Sequence, residues 1–177
     1  MIREIAQPHT EQRMVRNLAL ATVTALALGA ATIVSAQTST DVVGTWALVS
    51  SVTEKDGKRT DQFGTGASGT LMLDARGRFM LTIIGPDLPK FASGNRADGT
   101  AEETRAVVAR SIAMIGTYAV SPADKTLTFK VESATFPNWN GTEQKRLLAS
   151  GSRDELKYVT PSASSGGVGT VTWKRVD

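Results

Sequence analysis

Six side chains have the chemistry and the spacing to hold or process a small molecule: Tyr118, Glu132, Trp139, Gln144, Arg146 and Tyr158. Alternate residues of a strand share a face, so Gln144, Arg146 and Leu148 point the same way. Glu132, on the preceding strand, is placed to stand opposite Gln144 or Arg146. If that face is interior, Glu132 and Arg146 form a polar floor able to orient a carboxylate, carbonyl or hydroxyl group. If it is exterior, they are a surface ion pair worth about 0–1 kcal/mol. Leu147, of opposite parity, argues for the exterior arrangement, and burial of both partners decides between the two. Tyr118 and Tyr158 carry hydroxyls that need partners when buried, which makes them polar points in an otherwise apolar interior. Asn138 and Trp139 either close a turn, by a side-chain hydrogen bond and a wedge into the core, or line the pocket.

The reactive groups that are missing narrow the chemistry further. The only histidine, His9, lies near the start of the chain, and there is no cysteine. Residues 1–36 have the parts of a secretory signal: Arg13 and Arg16, an uncharged stretch from Leu18 to Val34, and Val34-Ser35-Ala36 before a cut. An alternative start at Met14 gives a signal of ordinary length. An uncleaved anchor is the competing reading, weakened by the alanine and threonine content of the apolar run. With the signal removed, the mature chain has neither imidazole nor thiol. Ser-His-Asp and Cys-His catalysis, zinc held by His and Cys, haem held by either, disulfides and lipid attachment at cysteine are all excluded. No cofactor or metal is called for.

Residues 37–177 carry 17 basic and 15 acidic side chains, scattered rather than clustered. Such a surface does not suit nucleic acid, and after signal cleavage nothing predicts stable membrane insertion. The expected location is periplasmic or extracellular.

Positioning those six residues falls to short β-type runs broken by turn residues, near 45–53, 68–74, 78–84, 113–120, 126–135, 142–149, 154–160 and 168–176. Residues 37–43 read as a linker and 44–177 as one domain. Short links such as Asp74-Ala75-Arg76-Gly77 make sequential strands antiparallel neighbours. Eight of them close into an all-β, up-and-down barrel wide enough to be filled or to hold one small ligand. Phe79, Leu81 and Ile83, then Phe129 and Val131, then Leu156 and Tyr158 form core-facing rows. Between the third and fourth strands, Pro86 to Ala97 is too long for a hairpin and reads as a lid. One short helix follows from Ala101 to Ser111, with Thr100 and Glu103 spaced for a capping box. At the other end, Gly44-Thr45-Trp46 opens the first strand and Arg175 ends the last, placed to lie across the Trp46 indole as a plug.

The order Gly44-Thr45-Trp46-Ala47-Leu48-Val49-Ser50, Pro89-Lys90-Phe91-Ala92, Gly99-Thr100-Ala101-Glu102-Glu103, Gly116-Thr117-Tyr118-Ala119-Val120 and Phe136-Pro137-Asn138-Trp139, with Gly141-Thr142-Glu143-Gln144 and Arg146, resembles the bacterial and fungal lipocalin-like domain family. Asn140 departs from the apolar residue expected after Trp139. The resemblance implies a lipocalin-type barrel and says little about activity. Together these readings favour an exported protein that binds a small hydrophobic or amphipathic molecule in the barrel. The alternative is a cofactor-independent isomerase or cyclase in which Glu132, Tyr118 or Tyr158 moves a proton.

Overall fold

In the computed structural model the described residues are 39–176, all within the unit that runs from Ile33 to Asp177. The signal reading of 1–36 lies outside them. Nine strands form one antiparallel sheet: β1 (Gly44–Lys55), β2 (Lys58–Asp61), β3 (Ser68–Leu73), β4 (Arg78–Ile84), β5 (Ser111–Ser121), β6 (Thr126–Ala134), β7 (Glu143–Gly151), β8 (Glu155–Thr160) and β9 (Val168–Val176). From β3 to β9 each strand pairs with the next, β1 pairs with β3, and β9 returns to β1 over nine residue pairs to close the barrel. The eight-stranded up-and-down barrel expected from the sequence is therefore present. The addition is β2, whose Lys58-Arg59-Thr60-Asp61 run is wholly exposed and hairpins back along the end of β1 outside the closed ring. Such a polar run carries no alternation for a sequence reading to detect.

The helix falls where it was placed, as α2 (Ala101–Arg110) between β4 and β5, with both halves of the Thr100–Glu103 capping box formed. Two shorter helical pieces join it: α1 (Ser39–Val42), inside the stretch read as a linker, and a 3-10 turn at Pro137–Trp139. Asn140 has a task in that turn, because its side-chain oxygen accepts the Ala134 N–H at 2.8 Å. A polar residue there satisfies a backbone donor that an apolar one would leave unpaired.

One end of the barrel is sealed. Val42 and Trp46 are fully buried, and the Trp46 indole N–H donates to the Val42 carbonyl at 2.9 Å. The Arg175 guanidinium lies 4.1 Å from the Trp46 ring centroid. It also donates to the carbonyls of Val43 and Asp41, at 2.7 and 2.6 Å, and to that of Arg153 in the β7–β8 turn. This arrangement explains Gly44: its φ is +144°, and a Cβ there would overlap Arg175 Nη1. Above the seal, Phe79 and Phe129 pack at 4.6 Å between centroids, and Phe129 meets Tyr158 edge-on at 6.3 Å. Phe79 gains its room from Gly116 directly across the β4–β5 ladder, where a side chain would strike both the Phe79 ring and the Lys130 carbonyl.

Replacing Arg175 by alanine removes a stacked cation and three charge-assisted hydrogen bonds at once. The expected loss is about 2–4 kcal/mol of unfolding free energy, measured by urea denaturation. Arg175→Lys is expected to recover less than half of it, because an ammonium cannot stack and fan out to three carbonyls together.

Candidate functional site

Above the Phe79–Phe129 pair the barrel is hollow. A cavity of about 500 Å³ opens at the end opposite Arg175, within the roughly 300–1,000 Å³ of small-molecule sites. Its walls come from inward positions of β4, β5, β8 and β9: Leu81, Ile83, Ile112, Met114, Tyr158 and Val171. Gln144 and Arg146 of β7 add polar groups, and Trp139, Phe63 and the segment Pro161–Ser164 surround the mouth.

Trp139, Gln144, Arg146 and Tyr158 thus come together around one space, as the sequence reading grouped them. Leu147 is 45% exposed and Arg146 only 8%, so the β7 face carrying Gln144 and Arg146 is the interior one. Tyr118 and Glu132 stand elsewhere. Tyr118 is paired with Phe129 across the β5–β6 ladder and does not line the cavity; its hydroxyl donates to the Asp74 carbonyl, at the β3–β4 turn, at 2.7 Å. Glu132 is a correction to the expected polar floor: it is exposed on the outer wall and binds Arg78 in a two-pronged pair at 2.6 and 3.0 Å. The cause is parity. Leu127, Phe129 and Val131 face inward on β6, which turns Lys130 and Glu132 out. The core role assigned to Phe129 and Val131 already contained this answer.

Arg146 is therefore a buried cation without the acid expected to face it. Its Nη1 donates to the Lys145 carbonyl at 3.3 Å, its Nη2 donates to Gln144 Oε1, and its guanidinium carbon lies 5.8 Å from the Phe129 ring centroid. Burial lowers its pKa from the ordinary arginine value, with Tyr158 acting in the opposite sense. Burial also raises the pKa of Tyr158, opposed by the nearby Arg146 charge and by the Trp173 indole N–H. That N–H approaches the phenol without reaching full hydrogen-bond geometry, and among the described residues it is one of three buried side-chain polar atoms without a partner, with Thr53 Oγ1 and Gln144 Nε2. Among the described residues no group of three acidic or histidine side chains is disposed to hold a metal.

The proposed lid needs correction as well. No residue from Pro86 to Ala97 lines the cavity. The segment is held against α2 instead: Glu103 accepts the Ala92 N–H at 2.9 Å beside its capping bond to Thr100, and Arg110 donates to the Asp87 carbonyl at 3.3 Å. Those two backbone donors, Ala92 first, hold the Glu103 carboxyl below its ordinary pKa. Ser51, Gln62 and Phe63 also line the cavity, although no motif or periodicity in the sequence marks them. Ser51 and Gln62 hydrogen-bond at 3.2 Å, and Phe63, 8% exposed, sits just past β2, the strand that carried no periodic signal.

A closed antiparallel barrel, sealed at one end and hollow at the other, defines a ligand-binding architecture in general. The chain belongs to the lipocalin-like domain family, which it matches over residues 43–176. No match was found among the curated proteins. Similar solved structures include a redesigned β-barrel, at 17% identity over 82% of this chain and 98% of that one, with a TM-score of 0.43. Another is a de novo designed fluorescence-activating β-barrel, at 17% identity over 78% and 96% of the two chains, with a TM-score of 0.42.

The chain has two tyrosines, and both pKa values are raised, chiefly by burial. A raised folded pKa stabilises the fold fully below the unfolded value, and that contribution disappears as pH rises through the folded value. Absorbance at 295 nm is therefore expected to show no folded tyrosine titrating at the ordinary value of about 10. Stability is expected to fall above that pH, and Tyr158→Phe to flatten the fall.

Proposed function

We propose that the protein is exported and carries a small hydrophobic or amphipathic molecule in the open half of its barrel. The observation that supports this most is the cavity itself, about 500 Å³ of unfilled space walled by Leu81, Ile83, Met114 and Val171 and open at one end. Binding rests on burying apolar ligand surface, at about 25 cal/mol per Å² before the costs of association. The polar groups at the inner end and around the mouth set orientation. Export rests on the arrangement of residues 1–36, with cleavage after Ala36 giving a mature chain that begins at Gln37 and acts in the periplasm or outside the cell.

The alternative, a cofactor-independent isomerase or cyclase, needs a carboxyl or phenol poised near neutrality beside the substrate. Glu132 stands in solvent, Tyr118 is committed to the Asp74 carbonyl, and burial drives Tyr158 away from neutrality. Glu143, an acid at the cavity edge, is exposed. Binding is the better-supported reading.

Two outcomes are expected. A neutral apolar dye such as Nile red binds the purified domain saturably at one site, and Ile112→Trp, which places an indole in the cavity, weakens it by about tenfold or more, the equivalent of about 1.4 kcal/mol. A dye affinity unchanged by Ile112→Trp sinks the cavity reading. Intact mass of the protein recovered from the exporting host matches a chain starting at Gln37; retention of residues 1–36 sinks the export reading.

A further inference from the structure

Resting on the cavity reading, we infer that the natural ligand is a monoanionic amphipath, a carboxylate, whose head stands against Arg146 and Gln144 at the inner end of the cavity while its apolar body extends toward the mouth. Arginine is almost never fully buried unless paired. Arg146 is 8% exposed, and among the described residues no acidic side chain pairs with it. The acid expected from the sequence to face it, Glu132, is spent on Arg78 outside the barrel, and the β6–β7 register sets Leu127 opposite Arg146 instead. Of the five N–H groups of a guanidinium, Arg146 uses one on the Lys145 carbonyl and one on Gln144 Oε1. The same glutamine leaves its buried Nε2 without a partner. Both residues line the cavity, so the unused donors belong to one space.

What these donors lack is an acceptor with negative charge. A carboxylate offers two oxygens in the geometry that a guanidinium fork matches, and the neighbouring amide can supply a further donor. Burial keeps Tyr158 protonated and hence able to donate rather than compete as an anion. A purely apolar ligand would leave the guanidinium charge uncompensated, and a cationic one would be repelled. The ligand is then the counter-ion that the fold omits. The ligand-free barrel carries an uncompensated charge that binding relieves, so affinity and stability are expected to change in opposite directions when Arg146 is replaced by an apolar residue of similar length.

The test uses the delipidated mature domain near neutral pH and displacement of Nile red by three matched chains: dodecanoate, dodecanol and dodecyltrimethylammonium. Wild type is expected to prefer dodecanoate over dodecanol by about tenfold or more, with the ammonium weakest. Arg146→Met is expected to erase that preference, leave dodecanol within about threefold, and raise the melting temperature of the ligand-free protein. Gln144→Leu, with the cation intact, is expected to lower dodecanoate affinity by a smaller factor. Equal wild-type affinity for acid and alcohol overturns the headgroup assignment and leaves the cavity reading standing. A lower melting temperature in Arg146→Met, with equal losses for acid and alcohol, overturns it in favour of a structural arginine. Failure of Nile red and of all three chains to bind overturns the cavity reading too.

Discussion

Everything else in the molecule depends on the closure of β9 onto β1 and on the single side chain that seals it. A barrel removes the exposed edges that an open sheet would present, but closing the ring leaves its two ends to be filled or left open. At one end Arg175 settles the question. Its guanidinium lies on Trp46 and reaches the carbonyls of Asp41, Val43 and Arg153, tying the segment before β1, the last strand and the β7–β8 turn into one cap. Gly44 follows from that geometry, since a side chain at this position would occupy the space of the guanidinium. Because the seal is made by the segment before β1, the last strand and one turn, the opposite end is free to be open.

The seal also decides where the apolar mass goes. Trp46, Leu71, Leu73, Phe79, Leu127, Phe129, Leu156 and Trp173 are buried and do not line the cavity, so they fill the lower barrel. Phe79 and Phe129 stand at the boundary, with Tyr158 edge-on to the second ring. Above them the inward residues are shorter or polar, and the interior is hollow. The sealed half supplies the stability, and the open half is relieved of that task. An unfilled cavity and an unpaired arginine are both costs that a small domain carries only when the rest of its core is complete.

Much of this was legible in the sequence because it rests on period and on turn chemistry. The strand order, the helix with its Thr100–Glu103 capping box and the stacking of Arg175 on Trp46 each follow from local rules. What could not be read locally concerns competition between distant residues. Glu132 was expected opposite Gln144 or Arg146, but the β6–β7 register sets those two against Phe129 and Leu127, and the inward parity of Phe129 and Val131 turns Glu132 to Arg78 on the outer wall. The segment from Pro86 to Ala97 looked like a lid by length alone. Its position is set by Glu103 and Arg110, which bind it to α2 and away from the cavity. β2 was missed because a four-residue polar strand has no pattern.

The loss of Glu132 from the interior changes the chemistry of the site more than any other difference. A Glu132–Arg146 pair would have been electrically neutral and would have favoured a neutral polar ligand group, recognised by hydrogen bonds alone. With the acid outside, the inner end of the cavity presents a net positive charge in surroundings of low polarity, where an uncompensated charge acts more strongly than at a surface. Gln144 amplifies this asymmetry: its oxygen is turned to Arg146, which leaves its amide N–H groups as additional donors on the cavity side. The same parity rule that gives β6 its apolar inner face thus leaves the cation of β7 without an acid beside it, and the hydrophobic pattern that folds the barrel also sets the sign of the charge at the inner end of its cavity.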